Sequence, residues 1–390
     1  MEPTITPSRH ETAVLARKYG YVFAKSRLIR RVAAPLSRTV ALVFDDSPCS
    51  LPAEGSDTPV TEMILTLLRE YGARATFSVY GGTGECYPDT PGRAGSRYER
   101  GRKFAHYPAF ALDDMGGVAA LPELTRAIAR DANELAFTGF LGLTYASVRA
   151  LPERVTFRTD ADALDDFTRL SRTVFDLTKL TPTFAAPPRG VATLPSGADV
   201  FTLYETVGCH HLKPQIDLSP MMPSDAADWL RGALASNPAA LSGAILGLRG
   251  GLGADGETQS ESALRSVLET LTRLDFRVVS VGELLALSAF EDLPPNDTCY
   301  DAVRRLDRAG WTVGFRNNRF YPDREFTRAE LLALAGGTES RPRGVNTRSD
   351  DAAHPLAIAA AVGQILPNVT GQPRSNKRRD VYEWLTAVDG

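Results

Sequence analysis

Two adjacent carboxylates, Asp45 and Asp46, close the apolar run Thr39-Val40-Ala41-Leu42-Val43-Phe44 and are followed by Ser47-Pro48. Paired acids at the end of a buried strand can move a proton or hold a cation, whereas a lone Asp after a strand more often stabilises a turn. Arg189 and Arg249 stay protonated at any working pH, so they can neutralise these carboxylates but cannot give up and recover a proton. An ion pair from one of them to Asp45 or Asp46 is therefore expected. Cys209-His210-His211 offers a rival donor set. Neighbouring strand residues point to opposite faces, so Cys209 with His211, or His210 alone, would share a cleft with Asp46.

The surrounding pattern supplies the frame for these groups. Pro59 to Gly72 reads as an amphipathic helix closed by glycine, and Arg74 to Gly81 reads as a second buried strand. Together with 39–48 they make a strand, helix, strand unit of parallel type. Beyond a Gly-, Pro- and Tyr-rich excursion that includes Tyr107, helices are expected over 121–132, 160–179, 200–207, 224–236 and 261–274. Strands are expected over 134–137, 183–186, 208–212, 243–248 and 277–281. About seven strands alternating with helices favour a parallel α/β barrel. Residues from about Ser8 to Val32 carry the spacing of a basic amphipathic helix packed on that barrel.

Phe44-Asp45-Asp46-Ser47-Pro48 and Ala75-Thr76-Phe77-Ser78 resemble the Phe-Asp-Asp-Gly-Pro and Ala-Thr-Phe-Phe motifs of the polysaccharide deacetylase (NodB-homology) family. That resemblance covers roughly Thr39 to Leu285 and implies the family's distorted (β/α)7 TIM-like barrel. It gives Asp45 the position of the base and Asp46 that of a metal ligand. The remaining motifs depart from the pattern: Thr138 and Gly142 stand where two histidine ligands belong, and Arg249 stands where the acid histidine belongs. Ala186-Pro187-Pro188-Arg189-Gly190 keeps a family backbone signature without its leading arginine. Glycine cannot coordinate an ion, and a neutral threonine hydroxyl is a poor ligand for zinc-like metals.

The C-terminal pattern differs. Phe290 to Leu334, with Thr327-Arg328-Ala329-Glu330 at a helix start, closely resembles one S-layer homology repeat, and Thr327 with Glu330 has capping-box spacing. Such repeats bind cell-wall glycan, which the resemblance extends to Arg328. His354 to Leu366 reads as the helix of an eroded second copy, and Asp380 to Val388 as another helix. The expected organisation is an N-terminal helix (1–36), the barrel (37–288), one repeat (289–337), and a linker with C-terminal helices (338–390).

In 390 residues, 43% hydrophobic and 23% charged with a net charge of −3, nothing attracts nucleic acid or an anionic membrane. Four scattered cysteines suggest neither a zinc knuckle nor a disulfide framework. No signal-peptide or membrane-spanning run is apparent, so a cytoplasmic location is expected, with cell-wall association the alternative that the repeat implies. The functional expectation is a pseudoenzyme without a cofactor, binding a carbohydrate or a partner through Arg189, Tyr107 and Arg328, with self-association through the C-terminal unit. The alternative is a hydrolase of carbon-nitrogen bonds in N-acetylated carbohydrate, dependent on zinc or another divalent metal and built on Asp45, Asp46 and His210 or His211.

Overall fold

Val40 to Phe44 are fully buried, and a run of that kind can be satisfied only inside a sheet covered on both faces. The computed structural model describes residues 26–34, 37–82, 114–146, 157–253, 255–309, 314–327, 330, 355, 358–359 and 370–387. It divides the chain into two compact units, one of residues 28–31 and 37–286, the other of residues 1–27, 32–36 and 287–390.

In the first unit, the central strand β2 (Thr39–Ser47) pairs in parallel with β3 (Thr76–Tyr80), β8 (Ile245–Arg249) and β9 (Arg277–Val279). The sheet continues through β4 (Glu134–Gly139), β5 (Phe184–Ala185), β6 (His210–Leu212) and β1 (Leu28–Ile29), and β7 (Ile216–Asp217) pairs with β8. Arg31, just beyond β1, bridges Ala244 at the start of β8 and curls the sheet round. All named strands pair in parallel, so the expected distorted α/β barrel is the fold.

Helices α1 (Val60–Glu70), α2 (Pro122–Arg130), α3 (Asp160–Thr178), α4 (Phe201–Val207), α5 (Pro223–Ser236), α6 (Glu261–Arg273) and α7 (Val281–Leu287) alternate with the strands. The outward side chains Val40, Leu42, Phe44, Phe77, Val79, Leu135 and Phe137 form the main core with α1, α3 and α6. Each such buried side chain contributes about 1.5–3 kcal/mol. Inward positions are smaller: Ala41, Val43, Ser78 and Ala136. Local signals set the helix ends. Thr159 and Asp162 cap α3 reciprocally, and Gly72 takes φ 59° after α1. Leu28–Ile29 correct the expected N-terminal helix, since they form a strand against His211–Leu212. The open edge of β6 offers hydrogen bonds and a fully buried seat for Ile29, which outweigh helical spacing there. The rest of that helix lies outside the described residues.

The second unit has its own core of Phe290, Leu293, Val303, Leu306, Phe320, Phe326, Val381, Tyr382 and Leu385. It joins α8 (Tyr300–Arg308) to α9 (Arg378–Thr386), which starts two residues before the expected last helix. The expected capping box is present: Thr327 N donates to Glu330 Oε2 (2.7 Å) and Glu330 N to Thr327 Oγ1 (3.3 Å). Glu330 also pairs with Arg378, whose fully buried guanidinium lies 4.5 Å from the Phe320 ring centre and 4.9 Å from that of Phe315. Among the described residues no helix is long and apolar enough to cross a membrane.

Candidate functional site

The acids sit where parallel strands of such sheets usually present chemistry, at the C-terminal end of β2. Both flanks of β3 are irregular there. On β2 the register runs Phe44 to Phe77 and then Ser47 to Val79, and on β4 it runs Phe137 to Val79 and then Gly139 to Tyr80. Such bulges re-aim side chains at a rim. Asp46 takes φ 55° within the β2 irregularity, a left-handed geometry that Asp tolerates better than most residues. Thr138 is the extra residue of β4, and its hydroxyl donates to Val79 O at 2.9 Å.

Asp45 is half-buried, and its carboxyl is pushed up to about 8, first by burial and then by the charges of Asp46 and Asp217. Nearby hydroxyls of Ser219 and Ser78 oppose the shift. Asp46 reaches solvent at the rim but is also raised by the protein around it, against the opposing charges of Arg189 and Arg249. Asp217 is a third acid that the sequence did not reveal. Its Oδ1 accepts hydrogen bonds from Ser219 N (3.1 Å) and Ser219 Oγ (2.7 Å). It also packs on Gly247, where an added Cβ would lie 2.8 Å from that oxygen. The two-residue strand β7 carries too little pattern to announce it.

Of the two arginines expected to pair with the acids, Arg249 makes its ion pair with Asp255 instead. It is paired in register with Asp45, but its guanidinium is 5% exposed and directed elsewhere. Nε donates to Ser219 O (3.4 Å), one Nη to Asp255 Oδ1 (2.8 Å) and Glu257 O (3.0 Å), and the other to Asp255 Oδ2 (2.8 Å) and Met221 O (2.9 Å). A guanidinium has five N–H donors, and these five acceptors use them all. Arg249 thus clamps two rim segments together, acting on Asp46 only through its field. Beside it, Gly250 N donates to Asp45 O at 2.9 Å, and a Cβ on Gly250 or Gly251 would collide with the backbone of the acid pair. Arg189 is exposed at φ 54° in the short turn Pro188–Gly190, from which its charge reaches Asp46.

The residues at the family's metal positions do not fit an ion. Thr138 spends its hydroxyl on a backbone carbonyl, and Gly142, at φ 62°, faces Tyr80 with no donor. The rival set is not assembled either. Cys209 is buried with Sγ 3.5 Å from Pro182 O. His211 is wedged edge-on against Phe201 and Tyr204, with its pKa lowered to about 4 mainly by burial and then by Lys213. His210 lies against the Phe184 ring on β6, which β3, β4 and β5 separate from β2. Among the described residues no three His, Cys, Asp or Glu side chains come together to hold an ion. His10, His106, His354, Tyr107 and Arg328 lie outside the described residues.

One support of this rim comes from α3. Asp166 accepts hydrogen bonds from Phe140 N (2.8 Å) and Leu141 N (3.0 Å), and Gly139 leaves room for its carboxylate. Asp166→Ala should cost about 3 kcal/mol, because two backbone donors lose a charged partner. Hydrogen exchange at 140 and 141 should rise sharply; unchanged protection there would count against this anchoring.

Fold and site define a parallel α/β barrel domain with a carboxylate rim buttressed by a buried arginine. The polysaccharide deacetylase family model matches residues 33–199, which supports a domain of that type over the N-terminal part of the barrel. No curated protein matches. Solved structures similar to this chain include a CE4 family pseudoenzyme from Bacillus anthracis, at 15% identity over 66% of this chain and 68% of that one, TM-score 0.42. The peptidoglycan deacetylase PdaC from Bacillus subtilis gives 16% identity over 70% and 96%, TM-score 0.41. A family 4 acetyl xylan esterase from Clostridium thermocellum, in complex with a cobalt ion, gives 18% over 64% and 91%, TM-score 0.42.

Proposed function

We propose that this protein is a polysaccharide deacetylase homologue that has lost metal-dependent N-deacetylation and binds carbohydrate at the barrel rim. The observation that carries the reading is Arg249. The position that should exchange a proton holds a permanently charged group whose donors are all committed to structure. The donor set around Asp46 supports the same conclusion, since a metal that activates water needs several ligands at once. The second unit, read as an S-layer homology repeat, adds a wall-glycan contact through Arg328.

One observation favours residual hydrolysis instead: a carboxyl titrating near 8, as Asp45 does, suits acid-base work at neutral pH. Acetate release from an N-acetylglucosamine oligomer, with zinc, cobalt or nickel added, separates the two readings. The expected result is release at the protein-free rate, identical for the wild type and Asp46→Ala. Turnover that Asp46→Ala abolishes would overturn the proposal.

A further inference from the structure

We propose that Tyr80 is the stacking platform for a pyranose ring in this cleft, an inference that rests on the carbohydrate reading above. Tyr80 ends β3 between the two bulged strands and is half-buried. It shares the inward alternation of Ser78, whose hydroxyl lies by Asp45. Its ring spans the rim. At one end, a Cβ on Gly142 would meet Tyr80 Cδ2 at 3.8 Å, an ordinary contact. At the other, a Cβ on Gly116 would collide with the Tyr80 hydroxyl while lying 3.6 Å from Pro48 O, next to the acid turn.

The backbone fixes this placement. Val118 N donates to Tyr80 O (2.9 Å), Gly117 N to Pro48 O (2.9 Å), and Gly116 bridges Cys49. Glycine at 116 and at 142 therefore lets an aromatic side chain lie between the acid turn and the loop after β4.

Chemistry matches this geometry to a sugar. The face of an aromatic ring is electron-rich, and the axial C–H groups of a pyranose are weakly positive, so the two stack without charge. Sites for small polar ligands pair such an apolar floor with a few converging polar groups. Asp45, Asp46 and Ser219 supply those at the same rim, as acceptors and donors for ring hydroxyls.

The test is calorimetric titration of the full chain with tetra-N-acetylchitotetraose. Tyr80→Phe keeps the ring and should bind within threefold of the wild type. Tyr80→Leu keeps apolar bulk without an aromatic face and should weaken binding at least tenfold while the variant still unfolds in one cooperative transition. Equal affinity of the Leu variant and the wild type overturns the platform while leaving the carbohydrate reading intact. So does a Phe variant as weak as Leu, since the hydroxyl would then be the contact. A wild type that binds neither this oligomer nor a panel of wall glycans overturns both.

Discussion

Replacing Arg249 by Met should lower stability by about 2–3 kcal/mol, because backbone carbonyls lose a charged donor while the stranded Asp255 can turn to water. The loss strands Asp255 and three backbone carbonyls together. Arg249→His, which would put a histidine where the resemblance expects the acid, should destabilise almost as much and restore no activity, because imidazole cannot reproduce a five-donor fork. Arg249→Lys should recover only a small part, since a point charge cannot hold both oxygens of Asp255 and three carbonyls in one plane. Urea unfolding at neutral pH gives the answer through the barrel's midpoint. A midpoint within experimental scatter of the wild type for Met would show that the clamp contributes little.

A second large effect lies in pH dependence, where two groups act in opposite directions. The Asp45 carboxyl moves from an ordinary 3.8 to about 8 on folding, so between those values the folded chain keeps a proton that the unfolded chain has released. Stability contributed there is greatest at low pH and falls as pH rises toward 8, by a few kcal/mol. His211 goes from 6.5 to about 4, so the unfolded chain takes the proton first and stability falls as pH drops through that window. The size is about 3 kcal/mol at 1.36 kcal/mol per pH unit. From about pH 4 to 6.5 the two slopes partly cancel; from about 6.5 to 8 that of Asp45 no longer has His211 against it. Asp45→Asn should therefore flatten the alkaline fall, and His211→Phe should expose a continuous decline from about pH 4. Wild-type and Asp45→Asn profiles that run parallel from pH 6.5 to 8 would contradict this account.

The barrel was legible because its signals are local and repeated. Five buried residues before Asp45, the spacing of α1 and α6, and Gly72 closing α1 each give the same answer at two levels. Less legible was anything fixed by a distant partner. Leu28–Ile29 became a strand because β6 had an open edge, and Asp217 entered the site through two residues that show no period. For Arg249, position alone suggested a partner for the acids. Its partner is Asp255, six residues along, and the choice was made by the loop that Gly250, Gly251 and Gly253 permit to fold back. The histidine pair on β6 looked like ligands in one dimension, yet His211 lies among the helix-facing aromatics.

In the second unit, Arg378 and Tyr382 come from far beyond the repeat-like sequence and still fill its middle. An expression boundary drawn at the end of the recognisable motif would therefore remove the plug from its own socket, leaving Phe315 and Phe320 wetted. Anyone grafting this module onto another protein needs the final stretch of the chain as well.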